Sequence, residues 1–210
     1  MTQAGPDTEE LLRRVDEGDG AARGELLQRQ RSRLRRMVAC RMDPRLAARL
    51  DPSDVVQETL AEADRRLEGY LDERPLPFYP WLRQLAWDRL VEQHRRHLRA
   101  ARRSVLREQA EAPGLPDSSV WQLADRLLDS GQGPSAALQR GELRQQVRAA
   151  LDALTEPDRE VLVLRYLEQL SAREVGAVLG FSEAAAKKRA LRALQRLRDA
   201  LKHDNGEENS

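Results

Sequence analysis

The sequence predicts an all-α protein of two small helical domains joined by a flexible linker, with a helix-turn-helix in the C-terminal domain. Three observations predict this fold class. Charged residues make up 34% of the 210 residues and aromatic residues only 4%, which favours amphipathic helices over sheets. Apolar residues recur at helical spacing in two blocks. Between the blocks, glycine, proline and serine are concentrated and resist continuous helix.

Each block is expected to form one domain with a modest core. The first domain is predicted over residues 8–107 and the second over residues 138–203. Residues 108–137 form the expected linker, with one short helix over 120–128, and residues 204–210 form an expected disordered tail.

Several classes of protein are not favoured by the composition. The acidic N-terminus is unlike a signal peptide, and no apolar run is long enough to cross a bilayer, so we expect a cytoplasmic protein without a membrane partner. The one cysteine, Cys40, excludes a disulfide framework or a Cys-rich zinc site and is expected in the core. No carboxylate pair, nucleophile constellation or phosphate loop is present. We therefore expect no catalytic residue, no cofactor, no metal and no enzyme activity.

In the first block, the run Asp51-Pro52-Ser53-Asp54 predicts a strong helix start, with an aspartate cap and proline in the first turn. The following helix is expected to bury Val56, Leu60, Ala63 and Leu67. This leaves a polar face open to a partner, formed by Asp54, Gln57, Glu58 and Asp64. A merely solvated acidic face is the alternative interpretation.

Residues 74–81 contain three prolines and several aromatic residues, which predicts an irregular aromatic loop before the next helix. Trp81 and Trp87 are either core anchors or platforms for unpaired bases. From Trp87 to Arg107 the chain carries seven arginines against only Asp88 and Glu92. This excess indicates a nucleic-acid surface, which includes Arg95, Arg96 and Arg99.

In the second block, an amphipathic helix carrying Leu143, Val147, Leu151 and Leu154 precedes a helix with Thr155 as its expected cap. Residues 171–202 then predict the helix-turn-helix. Ser171 and Glu174 form a capping box, and Gly180 supplies the left-handed turn. Ser182 begins a last helix whose inward face is Ala186, Ala190, Leu194, Leu197 and Leu201.

The outer face of this last helix is basic. Seven cations lie between Ser182 and Lys202, opposed only by Glu183 and Asp199. The small side chains of Ala184 and Ala185 would let the backbone approach bases closely. The expected DNA-binding residues are Ser182, Ala185, Lys187, Lys188, Arg189 and Arg192. The alternative is a solvated charged face on an ordinary helical bundle.

These motifs resemble those of sigma factors of the extracytoplasmic-function type, which belong to the sigma-70 family and keep only regions 2 and 4. The segment from Asp51 to Glu58 resembles the region 2 motif that binds the β′ clamp helices of RNA polymerase. The resemblance therefore implies core-polymerase binding by Asp51, Asp54, Gln57 and Glu58. Residues 80–86 resemble the entry to the segments that melt and read the −10 element. This implies DNA contacts by Trp81, Trp87, Asp88, Arg95, Arg96 and Arg99.

Residues 154–183 are similar to region 4, which reads the −35 element and contacts the β flap. The chain departs from the family pattern in two places. Asp88 stands where asparagine is common, and Ala185-Ala186-Lys187-Lys188-Arg189 stands where Thr-Val-Lys-Ser-Arg is usual. Both departures bear on which promoter is read.

The resemblance implies a sigma factor that brings core polymerase to promoter DNA, with an anti-sigma factor as a further potential partner. Two alternatives remain open at the level of sequence. One is a free-standing helix-turn-helix regulator that binds duplex DNA without polymerase. The other is a helical interaction protein whose basic faces only keep it soluble.

Overall fold

The computed structural model describes the backbone of residues 6–101, 115–129 and 137–207. Every regular element in these ranges is helical, which confirms the all-α fold class. The chain divides into two compact units, residues 1–116 and residues 117–210. Within the described ranges, no helix is both long and apolar enough to span a membrane.

The first unit contains five helices: α1 (Pro6–Asp16), α2 (Gly20–Arg41), α3 (Pro44–Ala47), α4 (Pro52–Glu73) and α5 (Phe78–Ala101). Aspartate caps start three of them, because each carboxylate accepts hydrogen bonds from orphan N–H groups of the first turn. Asp19 accepts from the amides of Ala21 and Ala22 at 2.9 and 3.1 Å, and Asp43 from that of Arg45 at 2.7 Å. Asp51 caps α4, as predicted.

Helices α2, α4 and α5 pack against one another and enclose the core of the first unit. Its fully buried apolar side chains include Leu26, Leu34, Met37, Val56, Ala63, Leu67, Leu82 and Leu90. The predicted core residue Leu60 is only half-buried, and Thr59 is buried instead, with its hydroxyl donating to the carbonyl of Val55 at 2.7 Å. Cys40 is buried, as predicted.

The second unit contains α6 (Asp117–Asp129), α7 (Ala137–Ala153), α8 (Glu156–Leu162), a π-helical turn (Val163–Leu167), α9 (Ala172–Leu179) and α10 (Glu183–Glu207). Helix α10 packs on α7, α8 and α9, and α6 packs on α7 and on the π-helical turn. The core includes Leu123, Leu151, Leu162, Leu164 and Leu170, all fully buried.

Helix α6 lies within the segment expected to be linker, yet it is part of the second unit. It buries Val120, Leu123 and Ala124 there. At its edge, the Trp121 ring lies under two guanidinium groups of α7, those of Arg144 at 4.7 Å and Arg148 at 4.8 Å. Apolar burial and this aromatic contact explain why the segment joins the domain. Residues 102–114 and 130–136 lie outside the described residues.

Three local details differ from the sequence-based expectation. Thr155 stands at the start of α8 but makes no side-chain cap, and the guanidinium of Arg159 caps the preceding helix by donating to the carbonyls of Leu151 and Asp152. Helix α10 continues to Glu207, into the expected tail, and the sequence has no proline there to end it earlier. Helix α5 begins at Phe78, inside the expected aromatic loop.

Candidate functional surfaces

The turn between α9 and α10 has the geometry that the sequence predicts. The Ser171 hydroxyl accepts from the Glu174 amide at 3.2 Å, and the Glu174 carboxylate accepts from the Ser171 amide at 2.8 Å. Gly180 adopts the left-handed conformation with φ of 73°. Ser182 caps α10, because its hydroxyl accepts from the Ala185 amide at 3.2 Å. The predicted helix-turn-helix is therefore confirmed.

Gly176 allows the turn to fold back onto α9, and sequence reasoning missed it. The amide of Phe181 donates to the carbonyl of Gly176 at 2.8 Å. A Cβ atom at Gly176 would lie 2.6 Å from the backbone carbonyl oxygen of Phe181, inside normal contact. A glycine within a short helix, four residues before the glycine that ends it, was the available signal, because glycine disfavours helix interiors.

Helix α10 presents one buried face and one exposed basic face. Ala186, Ala193 and Leu197 are buried against the rest of the unit, and the exposed residues begin with Ser182, Ala184 and Ala185. Lys188 and Arg192 lie four residues apart on the exposed face. The small residues ahead of them leave the first turn open to close approach by a ligand.

Lys187 is exposed but is paired along the helix with Glu183, at 2.5 Å between Nζ and Oε1. The hydrogen bond from Lys187, and then its charge, lowers the pKa of the Glu183 carboxyl. Both groups are exposed, so the pair contributes little to stability and exchanges easily for another partner. Lys187 therefore remains accessible to an anion.

Arg189 is turned toward the protein rather than outward. Its Nε lies 3.5 Å from the Asp158 carboxylate, and its guanidinium lies 5.0 Å from the centre of the Phe181 ring. Arg196, two turns later, also pairs with Asp158, whose side chain is only 4% exposed. The buried carboxylate of α8 thus holds one flank of α10. Sequence reasoning assigned Arg189 to DNA alone and did not single out Asp158.

In the first unit, the predicted polymerase-binding residues lie at the start of α4. Asp54, Gln57 and Glu58 are exposed and follow the helical spacing that places them on one face. Glu58 has a weak ion pair with Arg89 of α5, at 3.6 Å. Asp64, expected on the same open face, instead pairs with Arg23 of α2 at 2.6 Å.

Asp51 precedes this face as the cap of α4. Its carboxylate accepts from the Ser53 amide at 2.6 Å. The hydrogen bonds from the Ser53 backbone and side chain lower the pKa of Asp51, and the charge of Arg35 lowers it further. Asp51 is therefore a charged helix cap that also adds negative charge beside the exposed residues of α4.

The aromatic residues expected in a loop are instead packed at the junction of α4 and α5. Trp81 lies in the first turn of α5. The centre of its ring lies 4.5 Å from that of Tyr70 and 5.8 Å from that of Phe78. Pro80 fits this first turn because no intrahelical N–H bond is needed there. Burial raises the pKa of Tyr70 to about 12, and its hydroxyl donates to the Leu76 carbonyl at 3.0 Å.

Trp81 nevertheless remains half-exposed, as does Trp87, six residues later in α5. The guanidinium of Arg41 lies 5.8 Å from the Trp87 ring centre. Asp88 is exposed beside it. Each tryptophan therefore packs against the protein on one side and is accessible on another.

The arginine-rich stretch continues along α5. Arg95 and Arg96 are exposed, and Arg96 pairs with Glu92 along the helix. The backbone of Arg99 is part of α5, but its side chain lies outside the described residues. Across the described ranges, no cluster of His, Cys, Asp and Glu is arranged to hold a metal ion.

A family model described as sigma-70, region 4 matches residues 144–197, from α7 through the helix-turn-helix and into α10. The second unit therefore contains a region similar to region 4 of the sigma-70 proteins. Relatives extend the likeness to the first unit. RNA polymerase sigma-E factor of Streptomyces antibioticus is 31% identical over 182 residues, covering 86% of this chain and 88% of the relative. The chain therefore belongs to the extracytoplasmic-function (ECF) sigma factors.

Other relatives are longer. ECF RNA polymerase sigma factor SigE of Mycolicibacterium smegmatis is 31% identical over 77% of this chain, which spans 58% of that relative. The chain spans about a third of two further curated relatives that it matches. Among solved structures, CnrH in complex with the cytosolic domain of CnrY has a similar fold. The TM-score is 0.50 at 24% identity, over 94% of this chain and 99% of that one.

Proposed function

We propose that the protein directs core RNA polymerase to specific promoters and so initiates transcription. One observation carries the proposal: a helix-turn-helix with an exposed basic helix and a helix with an exposed acidic face occupy separate units of one ECF family chain. The polymerase supplies the chemistry of RNA synthesis, so this subunit needs no catalytic residues of its own.

In this proposal, α10 reads duplex DNA of the −35 element from the major groove, which is wide enough for a helix. Ser182 and Ala185 lie at its N-terminal end, where a recognition helix meets base edges. Lys187, Lys188 and Arg192 reach phosphates or bases. The pairing of Arg189 with Asp158 makes it a residue that orients the helix, with its guanidinium still partly open to DNA.

The exposed face at the start of α4 is proposed to bind core polymerase at the β′ clamp helices, through Asp51, Asp54, Gln57 and Glu58. Three acidic groups on a short exposed arc favour a basic partner surface. The open geometry of this face supports the proposal, because only Glu58 has an ion pair across to another helix, and that pair is long.

Helix α5 is proposed to capture the opened −10 strand. Trp81 and Trp87 would stack on unpaired bases, and the positions of Asp88, Arg95, Arg96 and Arg99 would line the path of the strand. Unstacking a base costs a few kcal/mol, which stacking on an aromatic side chain offsets by about 1–3 kcal/mol per base. The half-exposed state of both tryptophans supports this role.

Further partners follow from the same proposal. The second unit would contact the β flap of polymerase, and the protein would work in the cytoplasm, where polymerase is found. An anti-sigma factor is a proposed regulator. The support is indirect: CnrH, which is similar in fold, was solved in complex with the cytosolic domain of CnrY.

The test is transcription by purified core polymerase with and without this protein, on promoters identified by mapping transcripts after its overproduction. The double variant Asp54→Lys with Glu58→Lys should lose core binding and promoter-dependent transcription. The matched control is Asp72→Lys with Glu73→Lys, which makes the same charge change at exposed positions of the last turn of α4. The control should behave as the wild type.

Absence of core binding by the wild-type protein, together with tight and specific duplex binding without polymerase, would replace this proposal with a free-standing helix-turn-helix regulator. Equal loss of core binding in both double variants would remove the assignment of the site to the start of α4, because charge alone would then explain the effect.

A further inference from the structure

The second half of α2 and the short helix α3 carry a concentration of arginine that the functions proposed above do not use. Residues 29–49 contain eight arginines and a single acidic residue, Asp43. The carboxylate of Asp43 is committed to capping α3 through the amide of Arg45. This stretch therefore has a strong local positive charge in a chain whose net charge is only +1.

Two of the eight arginines serve the interior. Arg33 is buried with its guanidinium 3.6 Å from the centre of the Tyr79 ring, and buried Arg41 lies over Trp87. The other six are exposed or half-exposed. We call these six the arginine face: Arg29, Arg31, Arg35, Arg36, Arg45 and Arg49. Arg29 also has an ion pair with Glu25, one turn earlier in α2.

On α2 the members of the arginine face share one side of the helix. The exposed positions Gln28, Ser32, Arg35 and Ala39 form its central stripe, and the remaining α2 arginines flank this stripe. From Arg29 to Arg36 the helix rises about 10 Å. Phosphates of one strand of DNA recur about every 3.4 Å along the axis, so this length faces about three of them.

The chemistry of the surface favours nucleic acid over an acidic protein. A protein interface usually has an apolar or aromatic centre inside its polar rim. Within the described side chains, the only exposed large hydrophobic residues are Leu143 and Leu191, both in the second unit. Between the arginines lie small or uncharged side chains such as Ser32, Ala39 and Ala48. The guanidinium groups of such a surface can bind the phosphates of a nucleic acid, whereas the surface has no large apolar residue on which a hydrophobic side chain of a protein partner could pack.

We propose that the arginine face is a further nucleic-acid contact, which binds the phosphate backbone independently of sequence. Helix α2 packs directly on α5, so the face belongs to the same compact unit as the proposed −10 surface. The proposal extends the proposed function, on which it rests for its biological setting only. Backbone contacts of this kind position a nucleic acid and add affinity that salt weakens.

The test uses the full chain and the triple variant Arg31→Gln, Arg45→Gln, Arg49→Gln, which avoids Arg35 because its charge acts on Asp51. The matched control replaces three exposed arginines away from the face: Arg13→Gln, Arg65→Gln and Arg66→Gln. Both variants lose three positive charges. Unchanged thermal unfolding shows that each variant is folded.

Binding is measured by fluorescence anisotropy with a labelled oligo-deoxythymidine strand and with a labelled duplex, over a series of salt concentrations. The arginine-face variant should bind about tenfold more weakly than the control at low salt. The slope of log affinity against log salt concentration should be shallower than that of the control by about 2, because three lost contacts with single-strand phosphates contribute about 0.7 each. If only the affinity for the single strand falls, the arginine face binds the opened strand. If only the affinity for the duplex falls, it binds double-stranded DNA.

Core-polymerase binding is measured for the same proteins. Retained core binding with weakened DNA binding supports the proposal and separates it from the polymerase-binding surface. DNA affinity equal to that of the control would overturn it. Unchanged DNA affinity with lost core binding would also overturn it and would assign the arginine face to an acidic protein surface. The anisotropy assay contains no polymerase, so its result tests the arginine face even if the proposed function is wrong.

Discussion

Replacing Gly176 by alanine should destabilise the second unit and weaken duplex binding. The new Cβ atom would lie 2.6 Å from the Phe181 carbonyl oxygen, whereas ordinary contact begins at 3.4 Å. The turn would have to move by the difference, about 0.8 Å. Because the obstructing atom belongs to the backbone, no side-chain rotation relieves the clash, and α10 would shift relative to α9.

The magnitude follows from two opposing effects. Overpacking at a rigid site costs about 1–3 kcal/mol. Alanine gains about 0.5–1 kcal/mol over glycine inside a helix, which offsets part of that cost. The expected net loss is about 1–2 kcal/mol. For a unit of this size, each kcal/mol lowers the melting temperature by about 4–8 °C, so we expect a decrease of about 5–15 °C.

The assay is thermal unfolding of the full chain by calorimetry, with Gly141→Ala as the matched control. Gly141 lies in α7 of the same unit, and a Cβ atom there meets no atom within 4 Å. Alanine should therefore stabilise that position by about 0.5–1 kcal/mol. If Gly176→Ala raised the melting temperature as the control does, the close approach of the turn would have no energetic importance, and the reasoning would be refuted.

Three further predictions concern charges. Asp158→Asn should lower the stability of the second unit by about 1–2 kcal/mol, because Arg189 and Arg196 both lose their buried anionic partner. Unchanged urea unfolding would contradict this. The pKa of Asp51 is lower in the folded protein than its ordinary value of 3.8, so this carboxylate stabilises the fold fully above pH 3.8 and loses its effect as the pH falls through the folded pKa. In acid-unfolding titrations, Asp51→Asn should remove this contribution to the acid sensitivity. Lys188→Gln with Arg192→Gln should reduce the salt slope of duplex binding by about 2, and an unchanged slope would remove both from the DNA surface.

The capping and turn motifs could be predicted because the interactions that form them join residues close together in the sequence. The capping box at Ser171 and Glu174 and the left-handed Gly180 involve atoms a few residues apart, and the structure contains both as expected. The proline-led start of α4 after Asp51 is a similar case. Such signals satisfy orphan backbone groups without help from distant parts of the chain, so the helix-turn-helix could be placed from sequence alone.

What the sequence did not reveal depends on tertiary packing. The predicted aromatic loop was too long: residues 74–77 are irregular, but α5 already begins at Phe78, and the rings of Phe78 and Trp81 pack on Tyr70 of the preceding helix. Glycine, proline and serine around α6 suggested linker, yet the helix joins the second unit by burying Leu123. The composition of a segment indicates its local preference for helix or loop, but it does not indicate which surface of the rest of the protein the segment can pack on.

Charge counting has the same limit on the recognition helix. The sequence places seven cations between Ser182 and Lys202, which would suggest a duplex salt slope of about 6 if each met a phosphate. Asp158 engages two of them, Arg189 and Arg196. Among the cations whose side chains the structure describes, Lys187, Lys188, Arg192 and Arg198 are exposed, and the exposed pair of Lys187 with Glu183 exchanges easily for a phosphate. These four cations would contribute a slope of about 4, and a measured slope near 6 would mean that DNA also displaces the arginines from Asp158.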